Sequence, residues 1–129
     1  VPELQLLLAF DAAEWPFPTI ENAQGVSAML HSLARMQELG AQVVLCSHGK
    51  TTSPTILDQN LSYVRTIEKR WRNFLATHHA PNIEQAWLSS LIQYPYDEIV
   101  SHAASDIDHA FYREVHENNV RYVLQWLLL

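Results

Sequence analysis

The sequence holds a single cysteine, Cys46. It can close no internal disulfide, which excludes a stapled secreted scaffold and leads us to expect a reducing, cytoplasmic setting. Cys46 lies inside an apolar run and reads as a buried, inert thiol rather than a nucleophile. Basic residues are also scarce: eight Lys and Arg stand against fourteen Asp and Glu, for a formal net charge of −6. Binding a polyanion through its phosphates needs a basic face. The densest basic cluster, Lys69-Arg70-Trp71-Arg72, falls in a helical pattern beside acidic residues and reads as a solvated face. No nucleic-acid partner is expected. No apolar stretch reaches the roughly 18–20 residues of a membrane span, and no signal peptide is visible, so no membrane partner is expected. Internal repeats, linkers and low-complexity tracts are absent too.

What the chain does contain is an ordinary globular balance. Of its 129 residues, 48% are apolar and 17% charged. That length suits one compact domain or part of a larger one, with enough apolar residues for a real core. A disordered chain would show fewer apolar residues and more charge. The sequence opens at Val1 and enters apolar, strand-like residues almost at once. We read this as a chain that has been cut or processed, or whose upstream part is absent.

The order of elements follows from periodicity and punctuation. Leu4 to Phe10 is a short apolar run expected to form a buried strand, with Asp11 at its C-terminal end. Trp15-Pro16-Phe17-Pro18 is expected as a loop, because two prolines fix the backbone and remove donors. Val26, Met29, Leu30, Leu33 and Met36 recur at helical spacing between Gly25 and a stop at Gly40. Ala41 to Cys46 is expected as a second strand, followed by Ser47-His48-Gly49-Lys50. Beyond that the chain reads as helical. Ser53-Pro54 starts a helix whose stripe runs Leu57, Leu61, Val64, Ile67, Trp71, Phe74. It ends near His78-His79. Asn82 is expected to cap a shorter helix with Ile83, Ala86, Trp87 and Leu91 inward, broken at Tyr94-Pro95-Tyr96. A last helix is expected from about Ser105 to Leu127, with Ile107, Phe111, Val115, Val120, Val123 and Leu127 apolar. The fold class is therefore α/β, with an αβ portion over residues 1–52 and a helical region over 53–129.

Asp11 and His48 stand out by location. Each follows a strand, and in open αβ sheets ligands gather at the C-terminal ends of strands. A carboxylate and an imidazole there are plausible metal ligands. The alternatives are a turn or helix-cap role for Asp11 and a hydrogen-bonded turn position for His48. Among the other histidines, His78-His79 sit at a helix end, where cations suit the dipole, and His31 has no obvious partner. His109 and His116 are seven residues apart and read as a solvated helix face, the alternative being metal binding across an interface.

A family resemblance then enters. Leu6-Leu7-Leu8-Ala9-Phe10-Asp11-Ala12-Ala13-Glu14-Trp15-Pro16-Phe17-Pro18 resembles the fourth metal motif of metallo-β-lactamase-fold hydrolases, in which a strand ends at an Asp that bridges two metal ions. Ser32 to Leu39 resembles the helix that follows, and Val43-Val44-Leu45-Cys46-Ser47-His48-Gly49 the fifth motif, whose His ligates the second metal. Leu57 to Arg65, with Asn60 and Tyr63, and His116-Glu117-Asn118-Asn119-Val120 are similar to later helices of some members. The resemblance covers nearly the whole chain and rests on order and context. Phe10 and Ser47 depart from the glycines common before the two ligands. The family's His-x-His-x-Asp-His signature, which supplies most ligands, is absent from these 129 residues.

The resemblance implies the C-terminal half of a metallo-β-lactamase (αββα) fold with a helical C-terminal region. It implies two divalent metal ions, zinc foremost, in the complete protein, with none held tightly by this chain alone. Asp11 and His48 are the implied metal ligands, with Asp11 also catalytic, and the missing ligands come from an upstream N-terminal half. The implied activity is hydrolysis of an ester, thioester, lactone or amide by metal-bound hydroxide. Trp15 and Phe17 either bind that small-molecule substrate or pack under the helices that follow. The alternative function is a non-catalytic helical dimerisation or interaction module, and a homodimer is compatible with either reading.

Overall fold

The computed structural model describes residues 5–10, 14–46, 53–101 and 104–129, with the backbone alone for Phe10, Leu45 and Cys46. Among the described residues the chain is mixed α/β and mostly helical, with one two-stranded parallel sheet. It divides into two compact units: the described parts of Val1–Pro18 and Gly25–Arg65 form one, and those of Thr19–Gln24 and Thr66–Leu129 the other.

The first unit is built on β1 (Leu6–Phe10), α1 (Gly25–Glu38) and β2 (Val43–Cys46). The strands pair in parallel as Leu6↔Val43, Leu7↔Val44, Leu8↔Leu45 and Phe10↔Cys46, with a register irregularity between Leu8 and Phe10. Parallel neighbours need a long crossover, and α1 lies within it. Val26, Leu30 and Leu33 are buried along one face of α1, at the spacing of a helical stripe. The helix stops where expected: Gly40 takes φ +64, the left-handed conformation that a glycine adopts without strain.

Strand alternation then decides which side chains meet α1. Ala9 and Val44 are buried in one cluster with Leu33, Ile56 and Leu57, and Leu7, Trp15, Met29, Met36, Ala41 and Leu61 pack against it. The opposite face leaves Leu8 45% and Val43 37% exposed. Both strands begin later than the apolar runs suggested. Ala41 packs against the core before β2 starts, and the backbone N–H groups of Gln42 and Val43 both donate to Gln5 O.

The long helix α2 (Thr55–Thr77) contributes Thr55–Arg65 to the first unit and Thr66–Thr77 to the second. Ser53 Oγ accepts from Thr55 N at 3.3 Å, and Pro54 occupies the first turn. Its apolar stripe is used internally. Leu57, Val64, Ile67 and Trp71 are buried, and Leu61 and Phe74 are half-buried.

The second unit adds α3 (Leu88–Leu91), α4 (Tyr96–Ile99) and α5 (His109–Leu127). Asp108 caps α5, its carboxylate accepting from Phe111 N at 3.1 Å, so the helix starts later than Ser105. The buried face of α5 carries Val115, His116, Asn119, Val120, Val123 and Leu124. Phe111, one of its apolar positions, is out of phase with that face and 52% exposed. The helix expected after Asn82 is also corrected. Trp87 takes φ 64, which ends any helical run there and restarts it one residue later. Leu88 and Ile92 are therefore buried, whereas Ala86, Trp87 and Leu91 are exposed. Tyr94-Pro95-Tyr96 does break the chain, and Pro95 in extended geometry precedes α4.

Candidate functional site

β1 and β2 pair through to their last residues, Phe10 with Cys46. In sequence, Asp11 follows the first of these ends by one residue and His48 follows the second by two. Asp11 and His48 lie outside the described residues.

The loop that follows Asp11 is described from Glu14 onward. Phe17 is fully buried, and its ring stacks on Tyr63 of α2 at 4.6 Å with 4° between the planes. Trp15 is half-buried against the core cluster. Asn60 of α2 grips the same loop at two points. Its Oδ1 accepts from Glu14 N at 2.8 Å, and its Nδ2 donates to Glu14 O at 2.7 Å. Glu14 is 6% exposed and Asn60 fully buried, so the side-chain amide replaces water at a peptide group that the core has covered. The residue that positions the segment after Asp11 is thus an asparagine on the inward face of a helix. Its signal in the sequence is a polar residue interrupting the Leu57–Leu61–Val64 stripe.

The second unit carries its own buried polar set. Asn119 Oδ1 accepts from Ile20 N at 2.8 Å. Trp71 Nε1 donates to Val120 O at 2.9 Å. His116 is fully buried, its Nε2 donating to Tyr94 O at 2.7 Å. Burial holds the His116 imidazole below its ordinary pKa, against the opposing pull of the Tyr94 carbonyl and the Glu117 carboxylate. Glu117 accepts from both the backbone N–H and the hydroxyl of Ser89. Burial raises the Tyr94 phenol, while the Arg70 guanidinium, 4.7 Å from its ring centre, opposes the shift. His109 is half-buried, with Nε2 donating to Ala104 O and Nδ1 beside the Tyr96 hydroxyl, each at 2.8 Å. The solvated histidine face expected at His109 and His116 is therefore corrected, because both imidazoles are drawn into hydrogen bonds within the unit.

The other sequence candidates sit apart. His31 and His79 are exposed, and His78 stacks on Phe74 at 4.4 Å at the end of α2. Of the basic cluster, Trp71 is buried, Arg72 pairs with Glu68 at 2.9 Å, and Lys69 is exposed. Among the described residues, no three His, Cys, Asp or Glu side chains gather to hold a metal ion. Among the same residues, no helix is long and apolar enough to cross a membrane. No protein-family model, curated protein or solved structure matches the chain.

Proposed function

We propose that this chain is the C-terminal portion of a metal-dependent hydrolase of the metallo-β-lactamase fold. In this reading it contributes Asp11 and His48 to a two-metal centre. The observation that carries the reading is the pairing of β1 and β2: two parallel neighbours, joined through a helix, whose last residues face each other immediately before the two candidate ligands. Strand ends arranged this way are where open αβ sheets bind ligands. The grip of Asn60 on Glu14, three residues beyond Asp11, supports it further, since a ligand needs a rigid surround to hold its geometry.

A carboxylate and an imidazole match zinc or a similar divalent ion in donor type. They fall short in number, since a catalytic zinc takes about three protein ligands and an open position. The chain alone is therefore not a complete centre, and in this reading the remaining ligands belong to an upstream N-terminal half. A bound divalent ion supplies a water acidic enough to ionise near neutral pH and a Lewis acid for a carbonyl oxygen. This chain's own share is to hold two ligands at adjacent strand ends and to fix the loop behind one of them. The exposed Leu8 and Val43 face supports the need for further polypeptide, because parallel sheets are normally covered on both sides.

Cobalt(II) binding, followed by its visible absorption, tests the reading on the chain alone and on the chain joined to the polypeptide encoded before it. The joined protein is expected to take up metal stoichiometrically and to lose one site on Asp11→Ala or His48→Ala. The chain alone is expected to bind weakly. Tight stoichiometric binding by the chain alone that survives both substitutions would sink the proposal.

A further inference from the structure

We propose that a groove on α5, remote in sequence from Asp11 and His48, binds a small organic ammonium ion. The groove encloses about 370 Å³ and runs between the Ala86–Trp87 segment and one face of α5. That volume is on the scale of small-molecule sites, which span roughly 300–1,000 Å³. Ala86 and Ala110 keep part of its lining small, and Trp87, which also lines it, is 63% exposed.

Three observations specify the ligand. The first is backbone conformation. Trp87 is a bulky residue held at φ 64, where L side chains are strained, and its large apolar side chain is left in water. Strain of this kind persists only where the surroundings over-determine it, and it concentrates at ligand clamps. The second is the support behind it. Arg121 donates to Ile83 O at 2.8 Å, to Gln85 O at 3.2 Å and to Asn118 Oδ1 at 2.9 Å. The segment that leads into Trp87 is thereby tied to α5.

The third is the charge balance of the lining. Arg121 is committed to those three acceptors. Arg113 pairs with Asp97 at 3.0 Å and lies 4.7 Å over the Tyr96 ring. Glu117 is occupied by Ser89. Glu114 alone of the charged lining residues has neither hydrogen bond nor ion pair among the described residues. The groove therefore offers, in Glu114, a carboxylate with no ion pair of its own and, in Trp87, a largely exposed tryptophan. A cation with apolar substituents satisfies both, by ion pairing and by cation–π attraction. The site is independent of the hydrolase reading and stands or falls separately from it.

Titration of the ¹⁵N-labelled chain with tetramethylammonium chloride, against sodium chloride at equal ionic strength, tests the assignment. Saturable shifts of the Trp87 indole N–H and the Glu114 amide are expected, with a dissociation constant on the order of millimolar, as one exposed aromatic face and one exposed carboxylate allow. Glu114→Gln is expected to weaken binding about threefold or more, and Trp87→Leu to remove saturation, with the spectrum reporting that each variant stays folded. Should Trp87→Leu unfold, Glu114→Gln decides alone. Shifts that sodium chloride reproduces, that stay linear, or that persist unchanged in Glu114→Gln overturn the proposal.

Discussion

Replacing Asn60 by alanine removes two hydrogen bonds at the Glu14 backbone, the one its N–H donates to Asn60 Oδ1 and the one its carbonyl accepts from Asn60 Nδ2. Glu14 is 6% exposed, so water cannot take over without opening the loop. A buried backbone group left without its partner costs about 1–3 kcal/mol. Two such groups, with partial relaxation of an irregular segment, give an expected loss of about 2–4 kcal/mol, a large share of the roughly 5–15 kcal/mol that holds a typical domain together. Urea unfolding measures the total, and hydrogen exchange at the Glu14 amide separates a local opening from a global one. Asn60→Asp is the informative companion. It keeps an acceptor for Glu14 N–H but sets a carboxylate against Glu14 O, so it should be as damaging as alanine at pH 7 and less so in acid, where the protonated form donates. A loss below about 0.5 kcal/mol, with Glu14 exchange unchanged, would refute the claim that Asn60 fixes this loop.

His116 supplies a pH dependence of definite sign. Its native pKa lies below the ordinary value of 6.5, so its contribution to stability is fully present above about 6.5 and is lost as pH falls toward the native value. Urea midpoints should drop between pH 7.5 and pH 5, and His116→Gln should flatten that part of the slope. Equal slopes in the two proteins would contradict it. At Gly40 there is open space for a Cβ, with nothing within 4 Å, so Gly40→Ala should cost about 1 kcal/mol from the positive φ alone. Gly40→Asn, which tolerates that conformation better, should cost less on the same unfolding curve.

What was legible in the sequence was set by period and punctuation. The 3.6-residue stripe of α2 and the Gly40 stop are local facts, and both reappear in the fold. The short apolar runs at β1 and β2 were legible as strands for the same reason, with each start displaced by two residues where the chain only enters the sheet. The phase of α3 was not. Nothing local announces that a tryptophan will take positive φ, and that single residue turns Ala86, Trp87 and Leu91 outward while Leu88 and Ile92 go in. The covered face of α5 is likewise chosen by partners distant in sequence, Trp71 and Ile20 among them, and it leaves the apolar Phe111 exposed.

The candidate site divides along the same line. That two strands would end near Asp11 and His48 follows from where apolar runs stop, and a helix between them makes a parallel pairing the natural outcome. That those ends pair residue to residue, Phe10 with Cys46, is a tertiary fact that no local pattern contains. The polar residues that hold the neighbouring backbone were visible only as interruptions: Asn60 in one apolar stripe, His116 and Asn119 in another. Each is fully buried, each is hydrogen-bonded to main chain, and among the described residues no buried side-chain nitrogen or oxygen lacks a partner. A polar residue in the inward register of a helix is therefore better read as a backbone clamp than as a break in the core. Because a buried clamp costs more to remove than an exposed contact, such interruptions deserve testing before the apolar residues around them.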